Sequence, residues 1–262
     1  MAVLSDWVSG AGKRVLVLMD RQNLVLQTYA RFLEYFPALG FRVGVACKTV
    51  SERIDYDADI LIASRQTLAP RIADLLRTGR IKPFNAVIID ECHNVLIFNP
   101  NLINVPCGTI KKPENQYFTI IQALREAHPT TRIFGFTATP YRFSGEIYGE
   151  NKLFSAVDYR ITTAELIRRG MLTPMKWKVS QSDISEKLKN VRRASTGELN
   201  EYQHQDILTQ PCYLKECLRA YQEHCSDRKT VIFGLNIAHA DMLILLFLHC
   251  LLLLKSFVLN FF

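Results

Sequence analysis

Short apolar runs recur along the chain, separated by amphipathic stretches: RVLVLM (14–19), FRVGVA (41–46), ADILIA (58–63), NAVIID (85–90), RIFGFTA (132–138) and TVIFGLN (230–236). None alternates apolar with polar positions, so each predicts a strand covered on both faces, as in a parallel sheet. The intervening stretches carry helical periodicity over about 22–36, 66–78, 117–128, 162–170 and 212–225. Strand and helix in regular alternation predict an α/β sandwich of doubly wound type.

From Met171 the texture changes. The segment MLTPMKWKVSQSDISEKLKNVRRASTGELNEYQHQ is polar and basic in its middle, and it reads as a linker before a new helix and strand. The strand at 230–236 would then open a second α/β unit. The last stretch, LILLFLHCLLLLKSFVLNFF (243–262), has the length of a membrane span and almost no polar relief. Three readings compete for it: a transmembrane helix, a buried helix of the second unit, or the product of a frame change. Polar residues at helical spacing in NIAHADML (236–243) belong to a surface helix, and their abrupt loss favours a foreign tail over a membrane anchor.

Composition adds limits rather than direction. Hydrophobic residues make up 48% and charged residues 22% of the 262, which excludes wholesale disorder and leaves room for a large core. A net charge of +7 suits a polyanionic partner. Seven cysteines, an odd number, with no signal peptide, point to free thiols in a reducing cytoplasmic setting. Cys212, Cys217 and Cys225 lack the close pairs of a zinc site. His239 reads as a surface residue at a helix start, and the basic run 187–193 as a solvated face that could touch phosphates.

The stretch SGAGKR (9–14) superficially resembles a phosphate-binding loop. Such a loop needs Gly, four residues, then Gly-Lys-Ser/Thr, and here the first glycine falls on Trp7 and the hydroxyl position on Arg14. The segment also lies between a helix-like stretch and a strand, the reverse of a phosphate loop's setting. It predicts a helix end, with Gly10 or Gly12 as left-handed cap and Lys13 and Arg14 near the negative terminus.

The chemistry concentrates at AVIIDECHN (86–94). A buried strand there delivers Asp90 and Glu91 at its carboxyl end, where open α/β sheets bind ligands. In nucleotide hydrolysis such a pair divides the work: Asp90 can hold Mg²⁺ through water, and Glu91 can orient and deprotonate the attacking water. Taken alone, the pair is equally compatible with a turn whose acids face solvent. A second strand end follows at GFTATPYR (135–142), where Thr137 and Thr139 precede a strand-stopping proline.

With both segments present in this order, the chain resembles superfamily 2 helicases. DECH (90–93) is similar to motif II of the DEAD/DEAH group and TATP (137–140) to motif III. VLVLMDRQNLVLQ (15–27) is similar to motif Ia, IASRQTLA (62–69) to motif Ib and TVIFGLNIAHA (230–240) to motif IV. ELIRRGMLTP (165–174) resembles the RadD branch, close to XPB-type and restriction-type translocases. The resemblance spans about residues 1–242.

The resemblance implies a RecA-like P-loop NTPase fold of class α/β with a parallel sheet, its first domain missing the P-loop strand and its second only begun. It implies an incomplete first domain over 1–170, a linker over 171–211, the start of a second domain over 212–242 and an anomalous apolar tail over 243–262. Met1 would fall inside the helix that follows the P-loop, and losing that strand would leave the centre of the sheet incomplete. By resemblance the cofactors are ATP and Mg²⁺, with Asp90 and Glu91 catalytic, and with His93, Thr137 and Thr139 coupling hydrolysis to movement. Arg21, Ser64, Gln66 and Thr67 would hold the backbone of a nucleic acid, DNA ahead of RNA, since hydroxyls, amides and Arg position a strand without reading its sequence. No small-molecule substrate other than the nucleotide is implied, and no membrane partner. Without a phosphate cradle, and without motifs V and VI, the expectation is a helicase or translocase fragment that is inactive and a doubtful ATP binder alone. The alternative is a non-catalytic remnant that binds nucleic acid.

Overall fold

A computed structural model describes residues 1–35, 41–49, 54–95, 115–142, 145–178, 183–193 and 199–259. They divide into two compact units, Met1–Arg160 and Ile161–Phe262.

In the first unit the order is α1 (Ala2–Gly10), β1 (Val15–Met19), α2 (Gln22–Tyr35), β2 (Val43–Ala46), β3 (Ile60–Ser64), α3 (Arg65–Leu68), α4 (Ile72–Arg77), β4 (Ala86–Asp90), α5 (Gln116–Ala127) and β5 (Arg132–Phe136), then a small hairpin of β6 (Tyr141–Arg142) and β7 (Gly145–Glu146). The five long strands form one parallel sheet in the order β2-β3-β1-β4-β5. Within each strand, successive side chains enter opposite cores, which is why the strands are continuously apolar. Leu16, Leu18, Leu61, Val87 and Ile89 pack on one face with Ile72 and Leu75 of α4 and Phe118 and Ile121 of α5. Val15, Val17, Ile60, Ile62 and Ile88 pack on the other with Val8 of α1 and Val25 and Phe32 of α2.

The sheet departs from expectation in one respect: its five strands pair without a gap, so no fault lies at its centre. The open side is at β5, where Arg132, Gly135 and Phe136 are exposed. Two local signals account for smaller differences. The helix expected over 66–78 is split into α3 and α4 because Pro70 has no N–H to continue it. SGAGKR ends a helix as predicted, with Gly12 at φ +69, but Arg14 turns away from that terminus to the base of the sheet.

Arg14 fastens the amino-terminal ends of three strands together. Its guanidinium donates to the carbonyls of Lys82 (2.6 Å), Tyr56 (2.6 Å) and Ala58 (2.9 Å) and lies 4.5 Å from the centre of the Phe84 ring. Its backbone N–H donates to Asn85 Oδ1 at 2.9 Å.

The second unit contains α6 (Thr163–Arg168), α7 (Ile184–Lys189), α8 (Glu201–Leu208), α9 (Pro211–His224) and α10 (Ile237–Leu259). Thr162 accepts from the Glu165 N–H to cap α6, and Glu165 pairs with Arg168 and Arg169. Tyr213 of α9 donates to Asp183 Oδ1 at 2.6 Å, and Tyr221 meets Phe247 of α10 edge-on at 5.1 Å. The strand expected over 230–236 is absent: Val231 and Phe233 are 77% and 89% exposed. The described residues offer that segment no neighbouring strand, and an unpaired strand leaves its backbone hydrogen bonds to water. His239 also differs from expectation, being buried rather than on the surface. Its Nδ1 accepts from the Leu235 N–H at 3.1 Å, as the turn before α10 folds back over the ring, and among the described residues Nε2 has no partner. The basic run 187–193 includes part of α7, where Lys187 pairs with Asp183 at 3.3 Å. The apolar tail falls on α10, whose side chains are described as far as Leu248. Among the described residues no helix is long and apolar enough to cross a membrane.

Candidate nucleotide-hydrolysis site

The carboxyl edge of the sheet is built by β4 and β5 running side by side, with Asp90 opposite Phe136 in register. After Asp90 the chain bends sharply. Glu91 takes φ +47, ψ +47, a left-handed conformation uncommon for a side chain of its kind, and a 3₁₀ turn over Cys92–Asn94 follows. The bend sends Cys92 into the core and leaves the Glu91 carboxylate 45% exposed.

His93 joins the two strand ends. Its Nδ1 lies 2.8 Å from Thr137 Oγ1, 3.2 Å from Thr139 Oγ1 and 3.3 Å from Glu91 Oε2. One ring nitrogen has one hydrogen-bonding direction, so the short contact with Thr137 dominates and the other two are weaker. The threonines also hold each other, the Thr139 N–H donating to Thr137 Oγ1 at 3.0 Å. Glu91 is thus linked to the loop after β5 through one imidazole.

Cys92 is chemically silent. Burial pushes its thiol up to about 11, aided by the Glu91 and Asp90 carboxylates, so it stays protonated and is no nucleophile at neutral pH. It packs against Gly135, where an added Cβ would come within 2.6 Å of its Sγ. That close approach sets how tightly β4 and β5 meet beneath the site.

The Asp90 carboxylate makes no hydrogen bond or ion pair among the described residues, and its oxygens suit a hard cation such as Mg²⁺. It would be the ligand, and a metal there would supply charge neutralisation for phosphate oxygens. The amino end of α1 lies nearby: burial lowers the pKa of the Met1 amine, with Asp90 pulling it back up.

The residues expected to hold nucleic acid divide. Arg21, after β1, is exposed, and Gln66 is exposed with its Nε2 donating to the Asp20 carbonyl at 2.6 Å. Ser64 and Thr67 are buried. The Ser64 hydroxyl donates to Thr67 Oγ1 at 2.8 Å and accepts from the Thr67 N–H, capping α3. A polar group that the sequence reading missed lies beside them: Arg65 binds Asp20 Oδ1 at 2.6 Å and Gln116 Oε1 at 2.7 Å, and lies 5.4 Å from the Tyr117 ring centre. Tyr117 is buried beside Arg65, and burial pushes its pKa up. Asp20 and Arg65 follow apolar strands as Asp90 does, and that position was the available signal.

The family model described as "Type III restriction enzyme, res subunit" matches residues 1–142. The chain belongs to this family. The matched segment of this res-subunit relative carries the whole parallel sheet and the site at its edge. The probable ATP-dependent helicase MJ1401 of Methanocaldococcus jannaschii is 33% identical over 90 residues, covering 32% of this chain and 11% of that protein. This res-family chain thus spans a small part of that relative's length. Among solved structures, the UvsW helicase from bacteriophage T4 superposes with a TM-score of 0.35 at 16% identity, covering 51% of this chain and 40% of that one. A nuclease-deletion mutant of the type ISP restriction-modification enzyme LlaGI, in complex with a DNA substrate mimic, gives 0.41 at 12% identity, covering 85% and 20%.

Proposed function

We propose that this chain carries the hydrolytic edge of an ATP-dependent motor that acts on nucleic acid, DNA ahead of RNA. The observation that carries this reading is the single imidazole of His93 spanning Glu91 on one strand end and Thr137 and Thr139 on the next. Asp90 holds the Mg²⁺ that accompanies ATP, through water. Glu91, exposed and tethered to His93, orients the attacking water and takes its proton. His93 and the two threonines relay the state of that site to the loop after β5. Arg21 and Gln66 at the neighbouring strand ends contact the phosphates of a single strand, while Ser64 and Thr67 act indirectly by fixing the α3 turn that presents Gln66.

The sequence holds no Gly-x₄-Gly-Lys-Ser/Thr segment, so this chain alone has hydrolytic carboxylates without a phosphate cradle. That same absence favours a second reading, a non-catalytic remnant that only binds nucleic acid. Manganese, standing in for Mg²⁺ and followed by EPR, separates the two. In the motor reading it binds in the millimolar range, the Asp90→Asn variant loses that binding about tenfold or more, and Glu91→Gln keeps it. Equal manganese binding by all three proteins would leave only the remnant reading.

A further inference from the structure

We propose a second ligand site, for a nucleotide unit, in a cleft at the opposite end of the sheet from Asp90 and Glu91. The cleft measures about 370 Å³ and is lined by Ile54, Tyr56, Arg71, Leu75 and Arg80. Tyr56 precedes β3 and its carbonyl is held by Arg14, so the cleft opens beside the amino-terminal strand ends. One strand length, about 16 Å for five residues, separates that end from the hydrolytic carboxylates.

The chemistry of the lining selects the ligand. Arg71 and Arg80 are exposed, and neither guanidinium has a hydrogen bond or ion pair among the described residues. Their neighbours differ: Arg14 is spent on three carbonyls, Arg42 donates to the Asp57 carbonyl and Arg77 pairs with Asp74. The carboxylates nearby are also engaged, Asp74 with Arg77 and Asp55 Oδ1 with the Asp57 N–H at 3.0 Å. Two unspent guanidinium forks on one cleft repel each other and present donors suited to an oxyanion with several acceptors. Between them stand Ile54, Leu75 and Tyr56, a lining more polar than apolar, in which Tyr56 is the aromatic residue available to a flat base.

The walls are fixed rather than improvised. Leu75 is 4% exposed and its carbonyl accepts from the Ile81 N–H, which clamps the turn at Gly79 (φ +69) that presents Arg80. A volume of this size accommodates one nucleotide. The phosphate lies between Arg71 and Arg80 and the base against Tyr56. The unit is either a free mononucleotide or one residue of a single strand.

Fluorescence anisotropy with the full chain and two probes, methylanthraniloyl-AMP and labelled oligo-dT, distinguishes these sources. The variants are the double Arg71→Ala/Arg80→Ala, Tyr56→Leu, and the double Arg168→Ala/Arg169→Ala, each checked for an unchanged circular dichroism melt. For at least one probe the Arg71/Arg80 variant binds about tenfold more weakly or worse and Tyr56→Leu weakens binding, while the Arg168/Arg169 variant, which removes the same charge elsewhere, leaves the affinity unchanged. Loss with the AMP probe marks a free nucleotide as the ligand; loss with oligo-dT alone marks a strand. The site is refuted if neither probe binds, or if both bind the Arg71/Arg80 variant as tightly as the parent chain. Failure of the hydrolysis reading would leave the arginine dependence untouched, so the two can fail separately.

Discussion

Replacing Arg14 with alanine is expected to destabilise the first unit by about 2–4 kcal/mol, read from urea unfolding of the full chain. The reason is the set of groups it leaves behind. The carbonyls of Tyr56, Ala58 and Lys82, on segments leading into β3 and β4, each lose a charged donor at 2.6 to 2.9 Å. Half-buried carbonyls without a donor cost more than the hydrogen bonds gained on average, and the Phe84 ring also loses its stacked partner. Lysine is not expected to rescue the variant, because one ammonium cannot address three carbonyls in the plane of a guanidinium. Burial already lowers the Arg14 pKa against the pull of Asp57 and Asp59, but the group stays charged across the accessible pH range. The loss should therefore be nearly independent of pH from about 5 to 9.

Gly44→Ala is expected to cost about 3 kcal/mol or more for a single added methyl group. Gly44 sits in β2, buried, opposite Leu61 of β3. A Cβ there would come within 2.5 Å of the Asp55 carbonyl oxygen and 2.6 Å of the Ala58 Cβ. Neither neighbour can retreat: both belong to the segment Arg14 holds against the strand ends. Backbone freedom is not the issue, and a control makes the distinction. Gly12→Ala meets no atom within 4 Å but must adopt a left-handed φ of +69, a cost of about 1 kcal/mol. Reversing that order of severity would mean the loop before β3 is not packed on β2.

The strands of the first unit were legible because burial on both faces removes polar alternation, leaving runs such as Val15–Met19 that fit no surface element. The same rule misled at 230–236, since an apolar run records a capacity for pairing and not the presence of a partner strand. Asp90, Glu91, Thr137 and Thr139 were legible as candidates because each ends or follows a strand on the chain itself. Their union through His93 could not, since it depends on β4 and β5 being neighbours. The pairing of Asp20 with Arg65 was hidden for the same reason: residues far apart in the chain meet only through the order β3-β1-β4. Ser64 and Thr67 illustrate a local failure. The resemblance implies phosphate contacts for their hydroxyls, yet a serine at the end of a strand three residues before a threonine N–H is also a helix cap, and the structure uses it as one.

The most direct test of whether this chain hydrolyses ATP by itself is phosphate release from Mg-ATP by the purified chain, with and without single-stranded DNA, with Glu91→Gln measured alongside. No release above background is expected under either condition, because the nucleotide on which we propose Asp90 and Glu91 to act has no phosphate loop in this sequence to hold it in place. Steady release that Glu91→Gln abolishes would contradict that expectation and make the chain an enzyme in its own right.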